Sequence, residues 1–406
     1  MSNRTALLRL DGEHSDARQD LEILRAGIVE LAPVISRRAA EIEAERRVPN
    51  DLLERLRSIG VFRLLAPRSH GGMELDLPTG LEIIQALGRI DGSVGWIAMI
   101  GNGVHLVAPL LPHETYQKVY RDGPDARIAV SIQPAGTAEQ TEAGWRVSGR
   151  WPFASGCVHA DWMAGLCVMK KEGRPLMDPA DERRPLMRCV FMPARDWEIE
   201  DTWHAAGLEG TASHHIVLRD KLAPEEHFSE PINGKPCLPG PLYQTVAEVL
   251  PLFHDAFSLG VAEGAVDDVV QMAATGRQQF RAAVPMRESE IFQAELGRAV
   301  ADLRAAKAFG QAQVAYYWRR ALAGTIRDQA LVVEAGQASA WIAKTCADIG
   351  GACFVLGGGS AVYDTSPLQR RLRDLHVAAQ HAAVHRRNYI EAGKLLLAPS
   401  QPYGER

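Results

Sequence analysis

Paired cysteines, long apolar runs, a basic stripe and a dinucleotide fingerprint are all missing from this chain of 406 residues. Each absence removes a class of function. The six cysteines (Cys157, Cys167, Cys189, Cys237, Cys346 and Cys353) form no Cys-x-x-Cys pair and share no zinc-ligand spacing with histidine. Reduced, mostly buried thiols are expected, as in a cytoplasmic protein. No run approaches the ~18 apolar residues of a membrane span, so no membrane partner is expected. Residues 1–16 are polar and lack the apolar segment of a secretory leader. With a net charge of −5 and no basic stripe, nucleic acid is not an expected partner. Arg37-Arg38 and Arg46-Arg47 sit among glutamates and read as a solvated helix face.

What is present is an order of helices, strands and helices. Leu21, Leu24, Ile28, Leu31 and Ile35 recur at helical spacing and predict a helix over 17–44. A second helix is expected over 49–59, with Pro49 in its first turn and Gly60 past its end. Helices follow at 77–90 and 95–111. Short β-favouring runs at 128–131, 145–148, 162–169, 188–192, 197–202 and 214–218 are separated by Gly and Pro. Long helical segments are expected at 242–275, 288–323, 326–353 and 366–396. The expected class is α+β, mostly α. It has an N-terminal helical domain (1–125), a central β-domain (126–238) and a C-terminal helical bundle (239–406). Strand and helix do not alternate, which argues against a doubly wound sheet.

Four motifs stand in this order. The first runs from Ile59-Gly60-Val61-Phe62 through His70-Gly71-Gly72 to Asp91-Gly92-Ser93. The second is Ser131-Ile132-Gln133-Pro134-Ala135-Gly136, and the third is Gly207-Leu208-Glu209-Gly210-Thr211-Ala212-Ser213. The fourth runs from Gly357-Gly358-Gly359-Ser360 through Pro367-Leu368-Gln369-Arg370 to Arg373-Asp374 and His381. With them the chain resembles the acyl-CoA dehydrogenase superfamily over nearly its full length. More narrowly it resembles the two-component flavin monooxygenases built on that fold, which act on hydroxyphenylacetate, steroid-derived phenols, dibenzothiophene, indole and indole-acetate.

The resemblance implies an N-terminal helical domain, a β-domain, a C-terminal four-helix bundle and a homotetramer. It implies reduced FMN or FAD between the β-domain and the bundle, with O2 as co-substrate. It further implies a C4a-hydroperoxyflavin that hydroxylates a small phenolic or indolic aromatic. No G-x-G-x-x-G turn is present, since Gly357-Gly358-Gly359 is followed at the wrong spacing by Val362. The gap fits a protein supplied with reduced flavin by a separate NAD(P)H-dependent reductase.

Candidate residues follow from the resemblance. Phe153 and Ser155, in Phe153-Ala154-Ser155-Gly156, are placed beside the flavin N5 and C4a edge. Ser155 is otherwise a turn serine. Ser131 is either a partner of the isoalloxazine edge or an ordinary strand serine. His381 is the expected catalytic histidine, since imidazole exchanges protons near neutrality. His105, after Gly101-Asn102-Gly103, is a second catalytic and substrate-binding candidate, unless its bonds are structural. Trp203 either lines the substrate cavity or packs as an ordinary indole. Arg277 and Arg281, four residues apart at the end of a bundle helix, are candidates for the cofactor tail or for surface ion pairs. His376 and His385 flank His381 at about one helical turn, and Arg373-Asp374 reads as an ion pair fixing the helix that carries it. Two alternatives are an acyl-CoA dehydrogenase and a non-catalytic flavin-binding assembly. The first needs a carboxylate base. Residues 377–381 contain none, which leaves Glu248 as its candidate.

Overall fold

The computed structural model describes residues 2–231, 234–279 and 281–397. Met1, the first residue of the polar stretch 1–16, lies outside them. Six helices come first: α1 (Ser2–Arg37), α2 (Ala39–Glu45), α3 (Asn50–Ser58), α4 (Leu77–Ile90), α5 (Gly92–Val107) and α6 (His113–Val119). Local chemistry sets their ends. The expected 17–44 helix breaks at Arg38. Leu52, Leu53 and Leu56 bury one face of α3, and Gly60 (φ 93°) supplies the left-handed turn past its end. Asp76 caps α4 by accepting from Thr79 N–H at 2.8 Å. Asp91 ends α4 and caps α5 through Val94 N–H at 3.0 Å, so one residue fixes the corner between the two helices.

The central strands are β1 (Ile128–Thr141), β2 (Gly144–Trp151), β3 (Trp162–Lys171), β4 (Arg174–Pro175), β5 (Met177–Asp178), β6 (Asp181–Pro185), β7 (Met187–Pro193), β8 (Glu198–Glu200), β9 (His215–Ala223) and β10 (Phe228–Ser229). The main sheet has the order β10-β7-β3-β1-β2-β9-β8, with β4 on β3; β5 and β6 pair separately. β1 and β3 are parallel, and their register slips between Ser131 and Gly136. That bulge frees 132–135 from the ladder. The fully buried Trp151 explains three glycines. A Cβ on Gly136, Gly149 or Gly165 would stand 1.9, 2.6 or 2.7 Å from its ring.

The C-terminal helices are α7 (Val246–Ala274), α8 (Glu290–Leu322), α9 (Gln329–Gly357), α10 (Pro367–Ala378) and α11 (Asn388–Leu397). α7 is the axis of the bundle and is buried on every side from Pro251 to Ala262. It packs on α4, α9 and α10. Three helical stretches, Gly92–Leu110, Ala247–Ala274 and Gln329–Ser360, reach the length and apolarity of a membrane span, which corrects the expectation that none would. The first two are 83% buried in the fold and the third 50%.

A second correction falls on 366–396. This stretch is not one helix. α10 ends at Ala378, a 3-10 turn spans Ala382–Val384, and α11 begins at Asn388. The break contains neither glycine nor proline, so periodicity passes over it. Tertiary bonds hold it open: the Asn388 amide donates to Gly336 O at 3.1 Å and to Ala383 O at 2.8 Å.

Candidate active site

Four rings meet where α5, α7 and the α10–α11 break converge. Trp96 lies on α5, His254 and Phe257 on α7, and His381 in the break. Trp96 stands edge-on to Phe257 (5.1 Å between centroids), His254 (5.3 Å) and His381 (5.9 Å). His254 and His381 overlap at 4.2 Å and 31°. The break orients His381. Its backbone turns extended, and Nδ1 accepts from Ala383 N–H at 3.2 Å. The proton of the neutral ring therefore sits on Nε2. Burial pushes the His381 pKa down to about 4. Burial, then the neighbouring His381, pushes His254 well below the usual range. Both rings are neutral near pH 7, and a neutral imidazole with a free N–H is a hydrogen-bond donor.

His254 escaped the sequence reading. Its only sequence signal is a polar pair, His254-Asp255, inside the otherwise apolar stretch 249–257 of α7. Its partner Asp255 faces the other way, accepting from the Ser339 hydroxyl on α9 at 2.9 Å.

Beside these rings lies a chain of polar side chains. Trp96 Nε1–H donates to Ser155 Oγ at 3.0 Å. Ser155 and Ser213 are 2.8 Å apart, Ser213 and Thr211 2.7 Å, and Thr211 donates to Leu208 O at 2.8 Å. Backbone bonds lock the two turns together: Ala154 N–H to His214 O at 3.0 Å and Gly156 N–H to Thr211 O at 2.9 Å. Phe153, Leu208 and Ala212 have φ of 62°, 53° and 46°. Left-handed backbone at non-glycine residues costs energy and gathers at functional sites.

Ser131 is buried and donates to Pro152 O at 2.7 Å, which ties the β1 bulge to the 152–156 turn. Phe153 meets Trp203 edge-on at 6.3 Å, and the Trp203 indole donates to Leu208 O at 3.0 Å. The structure thus gathers Ser131, Phe153, Ser155 and Trp203, and the Trp96–Ser155 bond joins them to the His381 cluster. Ile132 and Phe153 are 57% and 54% exposed. Two bare apolar side chains around a polar serine, one of them strained, fit the flat face and polar edge of a flavin ring. A small, half-open cleft lies against Ile97, Ile100, Phe62, Ser155 and His159 and is mostly apolar.

The fourth motif holds this wall in place. Arg373 pairs with Glu43 at 2.6 Å and Glu209 at 2.9 Å, and Arg370 pairs with Glu43 at 3.1 Å. Asp374 accepts from Leu208 N–H at 2.6 Å and is pushed up to about 7 by burial, then by Asp91. Arg373 and Asp374 therefore bind outward to the loop carrying Thr211 and Ser213, not to each other. They do not fix a helix carrying His381, because His381 is not on α10. His376 is exposed on α10 and His385 lies past the turn, so the three histidines share no helical face.

Three other expectations change. His105 is fully buried, with Nδ1 at 2.6 Å from the Tyr120 hydroxyl and Nε2 at 2.8 Å from Phe62 O. The carbonyl can only accept, so Nε2 donates and Nδ1 accepts. Neither nitrogen is left for a substrate, and burial lowers the ring to about 4. Arg277 and Arg281 lie beyond the end of α7 at Ala274, with Arg281 at φ 62°, so their helical spacing does not form. Glu248 sits in the first turn of α7, its charge facing Arg327 and Asp328 at the start of α9 rather than the four rings.

A helical domain, a sheet and a helical bundle meeting at such a cleft are the architecture of the acyl-CoA dehydrogenase fold. The N-terminal domain of acyl-CoA dehydrogenases matches residues 20–115, and their C-terminal domain matches 252–386. Indole-3-acetate monooxygenase of Pseudomonas putida is 30% identical, over 88% of this chain and 89% of its own length. The Acinetobacter baumannii enzyme of the same name is 31% identical, over 93% of each. Among solved structures, XiaF from Streptomyces sp., in complex with FADH2 and glycerol, superposes with a TM-score of 0.85 at 25% identity, covering 96% of this chain and 99% of that one. The 3-HSA hydroxylase from Rhodococcus sp. RHA1 gives 0.84 at 26%, covering 93% and 98%. The chain belongs to the acyl-CoA dehydrogenase family, as one of the flavin-dependent monooxygenases built on that fold.

Proposed function

We propose that this protein is the oxygenase component of a two-component system. It takes reduced FMN or FAD from a separate NAD(P)H-dependent flavin reductase and inserts one oxygen atom of O2 into a small phenolic or indolic substrate. When bound, the reduced flavin supplies the electrons that activate O2. The chain's residues do the rest. Ile132, Phe153, Ser131 and Ser155 hold the ring, and Trp96, Phe257 and His254 build a water-poor wall. His381 presents its Nε2–H to a substrate or oxygen atom that gains negative charge.

The observation that carries this reading is the imidazole pair. His254 and His381 overlap at 4.2 Å, where α-proton abstraction from an acyl thioester would need a carboxylate. The relatives named indole-3-acetate monooxygenase support an indolic substrate, and the lack of a dinucleotide fingerprint supports a separate reductase. The apolar exposure of Phe309 and Trp341, with Val355, Val362 and Tyr363, supports association into a tetramer through the outer bundle. The free thiols of all six cysteines support a cytoplasmic location.

The test mixes photoreduced flavin, protein and a panel of phenols and indoles under 18O2. One labelled oxygen atom per product by mass spectrometry is expected. Hydrogen peroxide alone with every aromatic, or bleaching of bound oxidised flavin by acyl-CoA without air, would overturn the proposal.

A further inference from the structure

The groups at its two ends give the polar chain beside the cleft a direction, with the Leu208 carbonyl also accepting from the Trp203 indole at 3.0 Å and Thr211 N–H at 3.1 Å. The Trp96 indole N–H can only donate, and the Leu208 carbonyl can only accept. Thr211 spends its proton on that carbonyl at 2.8 Å. It then has only lone pairs for Ser213, so Ser213 donates to it across 2.7 Å. Ser213 has no second proton, so Ser155 donates to Ser213 across 2.8 Å. Ser155 in turn accepts from Trp96 at 3.0 Å. Trp96, Ser155, Thr211 and Ser213 are at most 7% exposed, so bulk water does not compete for these bonds. Ser155 is left with one lone pair and no proton to offer a ligand. A one-way chain also polarises its members, which makes the Ser155 oxygen a better acceptor.

We propose that Thr211 and Ser213 are positioning residues that commit the Ser155 proton, so that the site selects reduced over oxidised flavin. The proposal rests on the reading that Ser155 meets the N5 edge of the ring. In the reduced flavin N5 carries a hydrogen and can donate to Ser155. In the oxidised flavin N5 is itself an acceptor, and two lone pairs face each other. The selectivity is thus set two side chains away from the ligand, by the carbonyl that ends the chain.

The experiment measures dissociation constants of oxidised and reduced FMN and FAD, without oxygen, by flavin fluorescence and ultrafiltration. It uses the full-length protein, Thr211→Val, Thr211→Ser and Ser213→Ala, each checked for folding by circular dichroism. The unaltered protein should prefer the reduced form. Thr211→Val and Ser213→Ala free a proton that can turn Ser155 into a donor. The ratio of oxidised to reduced dissociation constants should then narrow by about three- to tenfold, the worth of one hydrogen bond. Thr211→Ser keeps the hydroxyl and should keep the ratio. An unchanged ratio in both Thr211→Val and Ser213→Ala overturns the proposal. Loss of the ratio in Thr211→Ser as well assigns it to side-chain shape and also overturns it. If the unaltered protein binds neither flavin, the flavin reading beneath the proposal fails instead.

Discussion

Replacing His381 tests whether its imidazole works as a neutral donor or as a titrating base. Burial holds its pKa at about 4 against an ordinary value near 6.5. A gap of about 2.5 units corresponds to ~3 kcal/mol opposing the second proton. At pH 6 only about 1% of such rings would be charged. The sign for stability follows. The fold binds fewer protons than the unfolded chain between these values, so this group's contribution is full above about pH 6.5 and is lost as pH falls towards 4. For catalysis, product formation should show no ionisation near 6.5. Loss of one positioned donor costs about a hundredfold, so His381→Ala should fall by about that factor. His381→Asn keeps a neutral N–H and should recover about tenfold of it. The assay is hydroxylated product per reduced flavin from pH 5.5 to 8, with flavin affinity measured separately. A wild-type acid limb near 6.5 that disappears in His381→Asn, or an Asn variant no better than Ala, would refute the donor role.

Three further outcomes are expected. Ser155→Ala removes the polar group at the proposed flavin edge and should raise hydrogen peroxide released per flavin oxidised several-fold; unchanged coupling in a peroxide assay would count against its placement. Asp255 is pushed up to about 8 by burial, with one carboxylate oxygen unpartnered. Its contribution is fullest below about pH 4 and is lost as pH rises to 8, so Asp255→Asn should gain on the wild type by ~1.4 kcal/mol per pH unit over pH 5–7; parallel urea-unfolding stabilities across that range would contradict this. Phe153 is held at φ 62° while half exposed. Phe153→Asn, a residue that tolerates that backbone, should unfold no earlier than wild type yet bind flavin about tenfold more weakly, and a clear drop in melting temperature would remove strain from the account.

Much of the architecture was legible because it is written in local chemistry. The 77–90 helix was placed to the residue, since its ends are a capping aspartate and a corner. The strands at 128–131 and 145–148 were recognised but are longer, because pairing in the sheet extends what propensity only begins. The 366–396 stretch failed because hydrogen bonds from Asn388 open a break that no glycine or proline announces. The helical spacing expected of Arg277 and Arg281 did not form for the opposite reason, the helix having stopped at Ala274 before them. Ser131 came from a motif and Phe153, Ser155 and Trp203 from the wider resemblance, and the four do share one wall. His105 carried the right chemistry, but Tyr120 and Phe62 occupy both of its nitrogens.

The amino-acid order alone settles the helix–sheet–helix plan, the motif set and the presence of histidine where a carboxylate would serve acyl-CoA chemistry. These depend on period, capping and residue type, which act over a few residues. Only the tertiary structure decides that His254 lies against His381 and that Asp374 binds the Leu208 turn, and only it sets up the proposed chain that commits the Ser155 proton. Each of those facts joins segments more than one hundred residues apart or depends on which neighbour takes a proton first, and neither is encoded in any local run.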